Sequence, residues 1–303
     1  MRQIQLSGIG VALVTPFGVD GSIDFKALER LIEHTLQGGV DFLVSLGSTG
    51  ETSLLSPQEC RAVLDATISI TQKRVPILAG LFGGNNTLEV TERIKGYNLT
   101  GIDALMVSNP AYVKPNQEGI FRHYMALASV SPLPILIYNV PSRSASNMKA
   151  ETTLRLAEAS EKFIGVKEAS DDLMQIMQII KNCPDDFSVL SGDDFLTLPI
   201  LSVGGKGLIS VIGNAYPKEY SMLVKAALNG DYITARYFNE LLLDVHPLLY
   251  VEGNPTGIKS ALSYMGICHK DVRLPMGPIS HEVEEKLHQQ MEIISNQMIL
   301  EKD

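Results

Sequence analysis

The stretch ILIYNVPSRSASNMKAETTLRLAEASEKFIGVKE, residues 135–168, contains the unit from which the fold is predicted. Its two ends, Ile135–Tyr138 and Ile164–Val166, are short apolar runs without polar alternation, and a helix-like segment lies between them. Such runs are typical of strands that are covered on both faces, as in a parallel sheet packed between helices. The stretch therefore predicts a strand, a helix and a second strand parallel to the first.

The same pattern recurs along the chain and gives eight candidate strands. The other six apolar runs are Gly10–Val14, Phe42–Leu46, Pro76–Ala79, Ala104–Val107, Ser188–Leu190 and Leu208–Val211. Strands that are each followed by a helix, at a spacing of about thirty residues, indicate an α/β protein with a closed (β/α)8 TIM barrel. An open doubly wound sheet is the alternative, but the glycine motif of dinucleotide-binding sheets does not follow the first run.

The segments between and after these runs predict helices with recognisable ends. Asp24 and Ser56 suit N-caps, Pro57 suits the first helical turn, and Gly38-Gly39 suits a C-terminal end. The predicted helices are Phe25–Gln37, Pro57–Thr71, Leu88–Tyr97, Pro217–Asn229, Tyr232–Leu249, Thr256–Met265 and Ser280–Leu300. Because the last four follow the eighth run without another strand, they predict a C-terminal helical extension of the barrel.

Composition limits the domain organisation and the partners. A chain of 303 residues suits a catalytic barrel domain over residues 1–225 with a helical region, residues 226–303, packed on it. Its 25 Lys and Arg against 34 Asp and Glu give a net charge of −9, which disfavours nucleic acid and anionic membranes as partners. Three separated cysteines and six scattered histidines indicate neither disulfides nor a metal site. The start of the chain lacks a signal-peptide pattern, so we expect a cytoplasmic protein.

Two residues at the ends of neighbouring runs predict covalent chemistry. Functional side chains of such barrels lie where the strands end and the following loops begin. Lys167 follows Ile164–Val166, where burial favours a neutral amine that can add to a ketone as a Schiff base. Tyr138 ends the preceding run, and its hydroxyl group suits a proton shuttle. A lysine that only reaches solvent and a tyrosine that only fills the barrel are the structural alternatives, and their shared position favours chemistry.

Three more loops carry polar groups that we expect at the same face. Ser48 and Thr49 lie in a glycine-flanked turn that can bind a carboxylate or relay a proton, although a turn that only caps the next helix is the simpler interpretation. The planar side chain of Arg143 could hold a substrate carboxylate in a bidentate pair. Tyr112 lies in a proline-bracketed loop, from which it points either into its own site or across a subunit contact.

These motifs resemble those of the dihydrodipicolinate synthase family, which belongs with the N-acetylneuraminate lyases to the pyruvate-dependent class I aldolases. The similarity runs from about Gly8 to the C-terminal helices. The strings that carry it are Gly47-Ser48-Thr49-Gly50-Glu51, Tyr138-Asn139-Val140-Pro141-Ser142-Arg143 and Gly165-Val166-Lys167-Glu168-Ala169-Ser170.

The resemblance implies a reaction and four catalytic residues. Lys167 would form an imine with pyruvate, and no other cofactor would be needed. Tyr138 and Ser48 would relay protons, and Tyr112 would reach into the site of a neighbouring subunit in a homotetramer. The enamine would attack L-aspartate semialdehyde and give 4-hydroxy-tetrahydrodipicolinate, a precursor in lysine and diaminopimelate biosynthesis.

The resemblance also implies how the substrates are bound, and it leaves one alternative open. Thr49 would contact the pyruvate carboxylate, the backbones of Gly192 and Ile209 would line the pocket, and Arg143 would hold the carboxylate of aspartate semialdehyde. The Ser48-Thr49 pair is more typical of sialic acid lyases, whereas the arginine is typical of the synthases. The alternative is therefore an N-acetylneuraminate lyase or a related pyruvate-dependent aldolase, and a barrel that only binds a 2-oxo acid is a more distant possibility.

Overall fold

A computed structural model describes residues 4–300, with side chains to residue 298. The predicted domain limits at residues 1 and 303 lie outside this range. Within it, eight strands form a closed barrel in chain order, and the pairings from the third strand to the eighth are parallel. The strands are β1 (Gly8–Ala12), β2 (Phe42–Ser45), β3 (Ile77–Ala79), β4 (Ala104–Ser108), β5 (Ile135–Asn139), β6 (Phe163–Glu168), β7 (Ser188–Ser191) and β8 (Gly207–Ser210). The predicted (β/α)8 barrel is therefore confirmed.

Helices follow the strands, and six of the seven predicted helices have bounds within one residue of the observed ones. They are α1 (Phe25–Gln37), α2 (Pro57–Thr71), α3 (Thr87–Gly96), α4 (Gln117–Val130), α5 (Pro141–Ser144), α6 (Ala150–Ala159), α7 (Leu173–Asn182), α8 (Thr197–Ser202), α9 (Pro217–Leu228), α10 (Tyr232–Leu243), α11 (His246–Tyr250), α12 (Thr256–Tyr264) and α13 (His281–Leu300). None of the helices in the described range combines the length and the hydropathy that a bilayer span requires.

The predicted helix ends are confirmed by their hydrogen bonds. The Asp24 side chain accepts from the N–H of Ala27 at the start of α1, and Ser56 forms a capping box with Glu59 at the start of α2. Gly38 caps the end of α1. These local contacts depend on residues within four positions of one another, so the sequence alone is sufficient to predict them.

The predicted helix Tyr232–Leu249 is wrong, because the structure has two helices there. Helix α10 ends at Leu243 and α11 begins at His246. Pro247 has no N–H to donate, and a proline ring clashes with the carbonyl group four residues before it, which here belongs to Leu243. The apolar periodicity continues through the break, and the proline decides where the first helix ends.

The described chain divides into two compact units. The first contains the residues up to Gly10 together with Asp41–Val44 and Val75–Ile209, and therefore most strand residues and α3–α8. The second contains Val11–Val40, Ser45–Arg74 and the residues from Ser210 onward, and therefore α1, α2 and α9–α13. Strand β6 in the first unit is buried along its whole length, as expected of a strand covered on both faces.

Candidate active site

Lys167 and Tyr138 lie side by side on neighbouring strands of the first unit. The two residues are register partners between β6 and β5, and only 4% of Lys167 and 7% of Tyr138 is exposed. The Lys167 Nζ atom lies 4.3 Å from the centroid of the Tyr138 ring, so both side chains occupy the same face of the sheet. Strand β6 extends through Glu168, which places the lysine inside the strand end. The structure thus brings together an amine and a phenol, as imine chemistry with a proton shuttle requires.

Glu168 is held by neutral hydrogen-bond donors. Its Oε1 atom accepts from Asn139 Nδ2 at 2.9 Å and from the Ser170 N–H at 3.0 Å, and its Oε2 atom accepts from Gln175 Nε2 at 3.2 Å. Burial raises the pKa of Glu168 to about 7, and the hydrogen bonds offset part of that rise. The carboxyl group therefore ties the ends of β5 and β6 and the start of α7 together without a cation among these donors.

Asn139 extends this network to the segment that follows α5, the helix that carries Arg143. Asn109 Nδ2 and the Met148 N–H both donate to Asn139 Oδ1, at 2.8 and 2.9 Å. The Tyr124 hydroxyl group donates to Asn109 Oδ1 at 3.1 Å. Because Asn139 and Asn109 are almost completely buried, these bonds fix the segment that follows α5, the helix on which the exposed Arg143 lies.

Tyr112 lies next to the Arg143 helix, and its ring is exposed. Its backbone has a φ of 68°, a left-handed conformation that is uncommon for a non-glycine residue and costs on the order of 1 kcal/mol. Its N–H donates to the Ser144 carbonyl group at 3.0 Å, which ties this loop to the end of α5. With 89% of the residue exposed, its aromatic surface is free to contact another molecule.

Gly192 directly follows β7, and Ile209 lies in β8. The Gly192 N–H donates to the Glu168 carbonyl group at 2.7 Å. A Cβ atom on Gly192 would lie 2.7 Å from Ala169 Cβ and 3.1 Å from Lys167 Cγ, so any larger residue must displace the end of β6 that carries the lysine. Ile209 is buried in β8.

Ser48 and Thr49 belong to the second unit and form a short 3-10 turn after β2. Leu46, two positions before the turn, and Glu51, directly after it, have φ angles of 59° and 53°, so the backbone is strained at these two positions. Ser48 is exposed and Thr49 is buried. Asn254 Nδ2 donates to Thr49 Oγ1 at 3.0 Å, which sequence reasoning did not predict.

A buried ion pair holds the end of this turn. Lys259 Nζ donates to Glu51 Oε1 at 2.5 Å and to the Asp271 carbonyl group at 2.8 Å, and it lies 4.0 Å from the centroid of the Phe17 ring. The Arg273 N–H donates to Glu51 Oε2 at 2.9 Å. Burial lowers the pKa of Lys259, while the Glu51 charge acts in the opposite direction. The turn is thus anchored by charges away from water.

Sequence reasoning missed three parts of this arrangement. Glu51 and Glu168 stand inside the strings that carry the family resemblance, so their position beside Thr49 and Lys167 was a usable signal. No local pattern marks Asn254, because its partner Thr49 lies 205 positions away along the chain. Contacts of that separation depend on the fold.

Elsewhere in the second unit, a cavity of about 380 Å³ opens beside the end of α1 and the start of α9. Its lining includes His34, Tyr216, Tyr264 and Met291, and none of the predicted site residues. We therefore place the candidate active site at the strand ends and not in this cavity. Within the described range, no three His, Cys, Asp or Glu side chains are grouped in a way that could hold a metal ion.

Comparisons with known proteins agree with this geometry. The chain is 45% identical over 295 residues to the 4-hydroxy-tetrahydrodipicolinate synthase of Parabacteroides distasonis, with 97% of this chain and 99% of the relative covered. It is 46% identical over 285 residues to that of Koribacter versatilis, with 94% of each covered. The dihydrodipicolinate synthase of Acinetobacter baumannii, solved with pyruvate, superimposes with a TM-score of 0.92 at 36% identity, over 95% of this chain and 99% of that one. The model of the dihydrodipicolinate synthetase family matches residues 5–294, and the chain belongs to that family.

Proposed function

We propose that this chain is a lyase that condenses pyruvate with L-aspartate semialdehyde to give 4-hydroxy-tetrahydrodipicolinate, in the biosynthesis of lysine through diaminopimelate. The observation that carries the proposal is the buried Lys167 amine, which lies 4.3 Å from the centroid of the Tyr138 ring. The names and the nearly complete coverage of the relatives support the choice of substrates.

The reaction follows from an amine held beside a phenol. The neutral Lys167 amine adds to the ketone carbon of pyruvate, and loss of water from the carbinolamine leaves an iminium ion. Tyr138, with Ser48 as relay, moves the protons that this dehydration and the following loss of a methyl proton require. The resulting enamine carbon attacks the aldehyde of the second substrate. The amino group of that substrate then adds to the imine carbon and releases Lys167.

Substrate binding and assembly complete the proposal. Thr49 and the backbones of Gly192 and Ile209 hold pyruvate, and Arg143 pairs with the carboxylate of the semialdehyde. The chain assembles as a homotetramer in the cytoplasm, where Tyr112 completes the site of a neighbouring subunit. The imine on Lys167 is the covalent group that the reaction needs, without an added cofactor. Residues 1–225 form the catalytic barrel and residues 226–303 the helical region packed on it.

Borohydride reduction tests the imine directly. Purified protein is treated with sodium borohydride and pyruvate, and the modified peptide is located by mass spectrometry. We expect an adduct on Lys167 in the wild type and none in Lys167→Arg, which keeps the charge but forms no stable imine. The exposed Lys114→Arg serves as the matched control and should be trapped like the wild type. A wild-type protein that stays unmodified would leave only a non-catalytic binder.

Arg143 separates the proposed synthase from the lyase that Ser48-Thr49 favours. In Arg143→Ala, kcat/KM for aspartate semialdehyde should fall about a hundredfold, since a charge-assisted pair with the substrate is lost, while pyruvate is still trapped. The exposed Arg236→Ala on α10 is the control for loss of a positive charge. Turnover of N-acetylneuraminate by the wild type at a comparable kcat/KM would select the alternative reaction.

A further inference from the structure

We propose that Asn254 is a positioning residue that determines the direction in which the Thr49 hydroxyl group donates its hydrogen bond. The inference rests on the proposed function, in which Thr49 binds the carboxylate of pyruvate. It adds a residue from the C-terminal segment, just before α12, to the machinery that recognises the substrate.

The donor and acceptor roles at Thr49 carry the argument. A hydroxyl group has one hydrogen to donate and two lone pairs that accept. Asn254 Nδ2 donates to Thr49 Oγ1 at 3.0 Å, so a lone pair is occupied on that side and the hydrogen must point elsewhere. In the described part of the chain no protein group accepts that hydrogen. The hydrogen is therefore available to an anionic ligand.

Because Thr49 and Asn254 are both buried, the direction of the Thr49 hydrogen bond affects how well an anionic ligand is bound. Only 2% of Thr49 and 7% of Asn254 is exposed, so water does not compensate freely when a donor or an acceptor is lost. The Asn254 Oδ1 atom is buried and has no hydrogen-bond partner in the described part of the chain. Among the described residues, the Asn254 amide thus makes its hydrogen bond to Thr49. If the Nδ2 donor is replaced by an oxygen that accepts, the Thr49 hydroxyl group must become the donor in this contact.

Two further bonds hold Asn254 and Thr49 in register. Glu51 follows Thr49 by two positions and pairs with Lys259, which follows Asn254 by five, and the Arg273 N–H binds the second oxygen of the same carboxylate. Because Lys259 and Glu51 are both buried, the two segments are fixed to each other beside the Thr49 contact. Asn254 is therefore placed to act on the hydroxyl group in a defined orientation.

The test compares Asn254→Asp with Asn254→Ala. The aspartate has the same shape but only accepts when ionised, so it captures the Thr49 hydrogen and removes it from the substrate. We expect KM for pyruvate to rise about tenfold more in Asn254→Asp than in Asn254→Ala, with KM for aspartate semialdehyde changed little in either. A residue that only fills space would give the opposite order, because alanine leaves a cavity and aspartate does not.

A Thr49→Val background separates polarity from the added negative charge. There the hydroxyl group is gone, so Asn254→Asp and Asn254→Ala should give equal KM values for pyruvate. An effect of the aspartate that persists in this background would be direct repulsion of the substrate and would overturn the proposal. So would an Asn254→Asp enzyme that is no weaker towards pyruvate than Asn254→Ala. The exposed Asn296→Asp on α13 is the control for the charge change.

The same experiments distinguish this proposal from the function on which it rests. If pyruvate is not trapped on Lys167 in the wild type, the proposed reaction itself fails. If trapping occurs and Thr49→Val leaves KM for pyruvate unchanged, the role of Thr49, and with it the role of Asn254, is wrong while the reaction stands. Melting temperatures of all variants show whether a loss of affinity reflects partial unfolding.

Discussion

Three residues around the Lys167 amine determine how it is placed for reaction with a ketone. The Tyr138 ring lies on one side of it, and on another side Gly192 leaves the room that the aliphatic stem of the lysine needs. Behind the strand, Glu168 is bonded to amides, and its carboxyl group does not pair with the amine. The amine is thus almost completely buried and forms no ion pair within the described residues, so it is positioned to add to a ketone.

Gly192→Ala tests how tightly the lysine stem is held. The new Cβ atom would lie 2.7 Å from Ala169 Cβ and 3.1 Å from Lys167 Cγ, so the chain just after Lys167 must shift and the lysine stem must give way with it. We expect the rate of borohydride trapping with pyruvate to fall about a hundredfold, because small misplacements of a nucleophile have effects of that size. Gly96→Ala, where the added carbon meets nothing within 4 Å, should react like the wild type. Equal trapping rates in all three proteins would show that Lys167 is not constrained at this point.

At this scale the sequence predicted residue types but not their contacts. Lys167 and Tyr138 were found because each ends an apolar run, and the direction of strand ends in a barrel places both at one face. The need for glycine at position 192 arises from a clash with Ala169 and close contact with Lys167 at the end of the neighbouring strand. Nothing within the local sequence encodes that clash, so only the fold reveals it.

Among the elements, β5 and β6 are joined by more than their backbone ladder. Asn139 at the end of β5 and Glu168 at the end of β6 are hydrogen-bonded and register partners. Gln175 adds α7 to the same group. A carboxyl group in such a setting is expensive to ionise, since burial raises its pKa to about 7. The network therefore makes the stability of these elements sensitive to pH.

Glu168→Gln should remove that sensitivity. The pKa of Glu168 rises from 4.5 in its ordinary state to about 7 in the folded protein, so between these values the folded state binds more protons than the unfolded state. The contribution of this group to stability is present at acidic pH and is lost as pH rises through that window, by on the order of 3 kcal/mol at most. We expect the variant, compared with the wild type, to become relatively more stable from pH 5 to pH 8 in urea or thermal unfolding.

A carboxylate on the surface provides the control for this measurement. Glu158→Gln removes the same charge from an exposed position on α6, and its stability relative to the wild type should change little over that pH range. A Glu168→Gln protein whose relative stability stayed flat, or fell, as pH rose would mean that the carboxyl group titrates in its ordinary range. The amide network would then stabilise the ionised form.

Element boundaries were predictable where capping is local. Helices α1 and α2 have the predicted bounds because Asp24, Gly38 and Ser56 bond within their own turns. The helix predicted over Tyr232–Leu249 was wrong because its apolar pattern was given more weight than Pro247. Because a proline inside a helix clashes with the carbonyl group four residues before it, more weight on Pro247 would have predicted the break.

For the molecule as a whole, distant parts of the chain meet at buried polar contacts. Lys259 and Glu51 are 208 positions apart and form a pair with side-chain exposures of 0% and 1%. Burying such a pair has a desolvation cost, so it contributes little net stability compared with an apolar pair. Removal of one partner, however, leaves the other charge buried and unpaired. The stability of the protein is therefore sensitive to a single substitution at either of these two buried residues.

Lys259→Met tests this sensitivity. The substitution keeps most of the side-chain volume but leaves the Glu51 carboxylate without its cation, and we expect a loss of about 3–5 kcal/mol in the free energy of unfolding. Methionine at the exposed Arg236, which pairs with Glu240 at 3.7 Å, should cost less than about 1 kcal/mol.

Adding Glu51→Gln to Lys259→Met removes the unpaired charge, while the amide oxygen of the glutamine still accepts from the Arg273 N–H. The double variant should therefore be more stable than Lys259→Met alone in urea denaturation. A double variant whose losses simply add would mean that the two charges are not coupled, and that the turn carrying Thr49 is held by its backbone alone.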